Sequence, residues 1–235
     1  MSSTDLNPPL AAATARSILA CARHVELDID GIDLAVADDE RLGLLDLEGT
    51  PGFLCEPGRT VTRAAREGRR ATLTMISGLA AEPGQTPAWQ ALILRGTLRR
   101  VGTEVCECCD LPQEQVVLEL DRVDLADDAS GRTTVPVEEF TSPSHLLNRG
   151  YLQRTAEHAR SAHQRELRQA AADLTACHPD LIIGAQLVDL TAWGVTLEWV
   201  DPIGSHQHPI WFPRLASTTN DLASLLRACL HPEIC

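Results

Sequence analysis

The chain contains no lysine; all 20 of its basic residues are arginine. That excludes Schiff-base catalysis through a lysine amine and the phosphate-binding lysine of a P-loop. GC-rich coding is the plain explanation of the bias. Positive charge is also scarce against 33 Asp and Glu, giving a formal net charge of −13. Phosphate contacts need clustered cations, so non-specific nucleic-acid binding is disfavoured, and the acidic excess reads as solubility. No apolar run approaches the roughly 18 residues a membrane-spanning helix needs. The start, MSSTDLNPPL, lacks the basic onset and apolar stretch of a secretory signal, so the expected location is the cytoplasm. A Gly-rich strand-to-helix fingerprint is missing, which counts against a Rossmann domain. So are a nucleophile elbow, a Ser-His-Asp spacing and any internal repeat.

What is present is an ordinary globular composition, 44% hydrophobic and 23% charged, in 235 residues. That length can bury one large core or two smaller ones. Eight cysteines are scattered along the chain. Without a secretion signal they do not suggest a disulfide framework. Cys106, Cys108 and Cys109, in CECCD, form the one cluster of ligand-like density. No second pair at zinc spacing stands near it, so it reads as a loop or short helix with partly buried thiols.

The most legible stretch is Tyr151–Leu174, which has no Pro or Gly and is rich in Ala, Leu, Arg, Gln and Glu. It predicts one helix of about six turns. Leu152, Ala156, Ala159, His163, Leu167, Ala170 and Leu174 form its apolar stripe. Upstream, 9–23 predicts a helix, and His24–Ile29 and Ile32–Ala37 predict a hairpin around Asp30-Gly31. Further strands are expected at 42–47, 70–77, 89–101 (with Gly96 a bulge or a close-approach point) and 115–126. EGTPGFLCEPG (48–58) reads as loop, Thr60–Glu67 as a short helix closed by Gly68, and 127–132 as a polar turn. Downstream come strands at 181–190, 195–200 and 208–212, then a closing helix at 218–230. The fold class is therefore α+β. An N-terminal antiparallel sheet or small barrel (1–140) is followed by a linker (141–150) and a C-terminal helix–three-strand–helix domain (151–235).

This order resembles the HugZ/HutZ-type haem-degrading proteins of the pyridoxamine-phosphate-oxidase-like split-barrel group. Their C-terminal module opens with a helix bearing His-Met-Asn-x-Asp-His, matched by His158-Ala159-Arg160-Ser161-Ala162-His163. Both histidines are kept, and Ala162 stands where the family has Asp. Leu187, Val188, Gly194 and Leu197 match the two following strands, with Thr191 in place of an Asp three residues before Gly194. Phe212-Pro213 matches a Phe-Pro pair. The resemblance implies that 1–140 is an N-terminal antiparallel split β-barrel, and that the protein is a homodimer binding haem through His163 at a domain or subunit junction. It also implies a carboxylate beside that histidine, for which Glu166 is the nearest substitute. Flavin-binding members hold the FMN phosphate with residues matched by Arg59, Thr62, Arg63 and Arg66. Haem ranks above FMN here.

On one straight helix, residues five apart lie about 140° apart. His163 then falls on the apolar stripe and His158 on the polar side, so the two are not expected to share a ligand. The competing reading of His163 is a hydrogen-bonded core histidine. His206-Gln207-His208 resembles a metal pair on a strand but reads as exposed. Three functional readings follow: a haem-associated protein that senses, carries or degrades haem; a non-catalytic interaction or regulatory protein; and a flavin-dependent oxidoreductase.

Overall fold

The computed structural model of the chain describes residues 7–32, 43–81, 89–105, 110–128, 131–175 and 177–234. Two compact units divide the chain, Met1–Gly150 and Tyr151–Cys235.

The first unit is a curled antiparallel half-barrel with helices. It opens with α1 (Pro8–Ala20), whose prolines occupy the first turn. The sheet consists of β1 (Ala22–Ile29), β2 (Gly43–Leu47), β3 (Thr50–Cys55), β4 (Arg70–Ser77), β5 (Gln90–Val105), β6 (Pro112–Asp127) and β7 (Gly131–Val135). Strand order is β1-β4-β5-β6-β3-β2, and β7 shares the outer edge of β6 with β3. Helix α2 (Thr60–Glu67) ends at Gly68, which is left-handed at φ 64° and donates to the last carbonyls. A short α3 (Val137–Phe140) follows β7.

Alternation explains the core. Leu73 and Met75 on β4, Leu92, Leu94 and Leu98 on β5, and Leu118 and Leu125 on β6 are sealed, with Phe53, Ile18 and Phe140. The curl is set at Gly96, where the β5–β6 register slips. A Cβ there would lie 2.0 Å from Glu119 O.

Several expectations change. The stretch 48–58 is not a loop, because β3 runs through it. The turn is only Glu48-Gly49, both at positive φ, closing a two-residue hairpin between Leu47 and Thr50. Pro51 is tolerated because the ladder to β6 begins one residue later, at Gly52. Gly49 is also required by packing, since a Cβ would meet Arg16 Nη1 at 2.6 Å. Buried Arg16 pairs with Asp46 at 3.1 Å. Residues 131 and 132, expected to end a polar turn, instead open β7, which runs to Val135. The Asp30-Gly31 turn is tight, with Ile32 N donating to Ile29 O, but β1 pairs with β4. Residues 33–37 of the expected hairpin lie outside the described residues, as do Cys106, Cys108 and Cys109.

The second unit contains α4 (Arg149–Ala162, its first turn shared with the first unit), α5 (Gln164–Thr175), β8 (Gly184–Val188), β9 (Gly194–Val200), β10 (Ser205–Trp211) and α6 (Thr219–Cys229). The strands form an antiparallel meander, β10-β9-β8. Ala185, Leu187, Val195, Leu197 and Trp199 are its buried positions, and Leu167, Ala170, Leu222 and Leu226 are buried on the helices. Thr191 organises the β8–β9 turn. Its hydroxyl accepts from Trp193 N and Gly194 N, both at 3.2 Å, and donates to Gly194 O.

Both edges of this sheet are managed. Asp201 and Gly204 exchange main-chain bonds across the β9–β10 turn, which makes every second pair a hydrogen-bonded one. Pro209, opposite Thr196, falls in a non-bonded pair with its nitrogen facing outward, where no donor is missed. At the other edge Gln164 covers the outward main chain of Ala185.

Candidate functional site

The expected single helix over 151–174 is two helices that meet at His163. Gln164 supplies the cause. Its Nε2 donates to Arg160 O at 2.8 Å, the carbonyl four residues back, and to Ala185 O at 2.6 Å. A side chain competing for an i−4 carbonyl bends a helix, and the strand holds the bend in place. The neighbouring bonds, His163 N to Ala159 O and Leu167 N to His163 O, survive.

This break overturns the angular expectation for the two histidines. His158 and His163 lie edge to face, with ring centroids 5.2 Å apart and planes at 74°. His163 is half-buried, with 21% of its side chain exposed, and its Nδ1 lies 3.9 Å from Glu166 Oε2. No described residue bonds its Nε2. His158 is exposed and lines a groove of about 280 Å3 with Tyr151, Arg154 and Leu222.

Glu166 is buried and fixed. Arg165 Nε donates to Oε1 at 3.0 Å and Nη2 lies 2.8 Å from the same atom, which leaves Oε2 toward the imidazole. Its own main-chain amide first, and then Arg165, hold the carboxyl below its ordinary value, against the effect of burial. A fixed carboxylate near Nδ1 favours the tautomer with the proton there and leaves the Nε2 lone pair for a ligand. Among the described residues, no group of three or more His, Cys, Asp or Glu is placed to hold a metal ion.

The flavin-type candidates sit on or beside α2 in the first unit. Arg66 Nη2 is engaged by buried Glu114 at 2.5 Å, and Arg100 reaches the same carboxylate at 3.1 Å. Thr62 is fully buried with its hydroxyl donating to Arg59 O, and Arg59 pairs with Glu56. Arg63 is exposed and without a partner among the described residues. Three of the four are thus committed to internal partners. His206 and His208 share a face of β10 but diverge in role. His206 stacks on Trp199 at 5.3 Å and lies 3.0 Å from Asp201, while His208 lines a separate cavity with Leu174 and Cys229.

Sequence reasoning missed two arrangements. One is the convergence of the histidines. The other is a row across the sheet in which Glu198 accepts from Gln207 and Gln186. Strand alternation could have shown the row once the register was known.

No family model and no curated protein matches the chain. Several solved structures are remotely similar, among them two that have a description. One, described as a heme binding protein from Mycobacterium smegmatis, is 16% identical with a TM-score of 0.42, covering 95% of this chain and 98% of that one. The other, a protein of unknown function from Agrobacterium tumefaciens, is 15% identical with a TM-score of 0.38, covering 97% and 100%.

Proposed function

We propose that the second unit binds haem, with the His163 imidazole as iron ligand and His158 beside it, in a sensing or carrying role. The observation that carries the reading is the convergence of the two rings at the α4–α5 break. One further feature supports it. His163 has no partner at Nε2 among the described residues, and the Glu166 carboxylate lies 3.9 Å away on the Nδ1 side, which leaves Nε2 open to iron. Bound haem would supply ligand-binding and redox chemistry at iron. The chain's part is to fix the ring through Glu166, and Glu166 through Arg165. Ala162 leaves the family's carboxylate position empty of charge, so binding is proposed here and cleavage is not.

Haemin titrated into the purified chain tests this. A saturating Soret band at one haemin per chain is expected, abolished in His163→Ala and weakened in His158→Ala. Unchanged binding by His163→Ala overturns the ligand assignment.

The second reading is a protein-interaction role. Trp211 on β10 is 74% exposed, and Trp193, whose carbonyl accepts from Phe212 N beside it, is 63% exposed. Exposed tryptophans are costly unless covered. Absence of any saturable haemin binding, with self-association lost in Trp211→Ser, would favour a homodimer or another protein partner seated there.

A further inference from the structure

We infer that a cavity at the Ile183–Val200 end of the β8–β9 pair binds a small apolar zwitterion of dipeptide size. The space measures about 390 Å3 and is lined by Arg160 and Gln164 from the helices and by Ile183, Glu198, Trp199 and Val200 from the strands, among others. That volume falls within the range of small-molecule sites. Ile183 and Val200 stand 63% and 42% exposed, an apolar surface left in water.

Two opposite charges share the wall. The Arg160 guanidinium is exposed and has no hydrogen-bond or ion-pair partner among the described residues. Glu198 is held in place across three strands, with Gln207 Nε2 donating to Oε1 at 2.8 Å and Gln186 Nε2 donating to Oε2. These two amides, Gln207 first, keep the carboxylate ionised below its usual range. Each oxygen retains a lone pair for a further donor. A ligand with only a carboxylate would gain Arg160 but meet the charge of Glu198, and one with only an ammonium would meet the reverse. A molecule carrying both, on an apolar body, answers the whole wall.

Gln164 pre-forms the site. Its amide is already spent on Arg160 O and Ala185, so it holds the helix break against the strand and sets Arg160 at the rim. The site is distinct from the His158–His163 pair and does not depend on the haem reading.

Isothermal titration of the full chain with Leu-Leu, N-acetyl-Leu-Leu and Leu-Leu-amide tests it. Leu-Leu should bind saturably at one per chain. Each blocked form should bind about tenfold or more weaker, the size expected for one charge-assisted hydrogen bond. Arg160→Ala should bind Leu-Leu and its amide alike, and Glu198→Gln should no longer distinguish Leu-Leu from its N-acetyl form. His163→Ala should bind as the parent does. If Glu198→Gln fails to fold, Arg160→Ala at its exposed position still decides. No binding of Leu-Leu, equal binding of all three by the parent chain, or undiminished discrimination in Arg160→Ala overturns the inference.

Discussion

Gln164 grips both outward main-chain groups of Ala185: its Nε2 donates to Ala185 O at 2.6 Å and its Oε1 accepts from Ala185 N at 3.4 Å. One side chain thereby stands in for an absent neighbouring strand at the β8 edge and also fixes the break between α4 and α5. Gln164→Ala should cost about 1–2 kcal/mol, the net worth of one to two partly buried hydrogen bonds. It should also let the helix straighten, so that haemin affinity falls although both histidines remain. A urea midpoint and a Soret titration on the same variant measure the two effects. Unchanged haemin binding alongside lost stability would separate the break from the site.

Gly96 and Gly150 tolerate no side chain, because a Cβ would fall 2.0 Å from Glu119 O and 1.9 Å from Ser17 O. Main-chain oxygens cannot step aside as a side chain can. Gly96→Ala and Gly150→Ala should each destabilise the first unit by more than about 2 kcal/mol, at the upper end of overpacking costs. Gly102→Ala is the control, since its nearest neighbour would be 3.8 Å away. It should fall within about 0.5 kcal/mol of the parent. Chemical denaturation followed by circular dichroism distinguishes them.

Acid should loosen the last helix late. Thr218 caps α6, accepting from Asp221 N, while the Asp221 carboxylate pairs with Arg214 and accepts from Ser217 N at 3.0 Å. Arg214, then the Ser217 amide, lower the Asp221 pKa from its ordinary value to about 2. A depressed carboxylate stabilises the fold above the unfolded-chain pKa, and that stabilisation is lost as pH falls through the folded value. Asp221→Asn should therefore be less stable than the parent at neutral pH, and the gap should narrow as pH falls from about 4 through about 2. A gap at pH 2 as large as at neutral pH would show that the ion pair is not its source.

Arg66 is paired within the first unit. Its pair with buried Glu114 predicts that Arg66→Ala loses up to about 1–2 kcal/mol, the exposed arginine tempering the cost. FMN fluorescence should respond identically to parent and variant. Preserved stability with altered FMN quenching would instead give Arg66 the phosphate-binding role.

The elements marked by period and punctuation could be read from the chain. Gly68 closes α2, Gly96 marks the close approach of β5 to β6 opposite the extra residue Asp121, and β4 runs from Arg70 to Ser77 as alternation requires. Three features could not be read, each for a physical reason. Pro51 and Gly52 look like a turn, yet β3 uses them where the ladder has not begun and where Leu47 packs close on Gly52. The stripe through His163 is continuous, and nothing in residues 151–174 marks a break. The break comes from Gln164 reaching a strand some twenty residues away. The Arg160–Glu198 cavity joins residues that no local spacing relates. Local chemistry sets elements, while a tertiary bond decides which side chains meet.

Pro209 has a consequence beyond its own strand. With that nitrogen turned outward on β10 and Gln164 capping Ala185 on β8, each border of the small sheet offers an added strand fewer main-chain partners, and growth into ribbons or fibrils is discouraged from both sides. Assembly through side chains is left as the easier route, with the tryptophans at the head of the meander as its natural point of purchase.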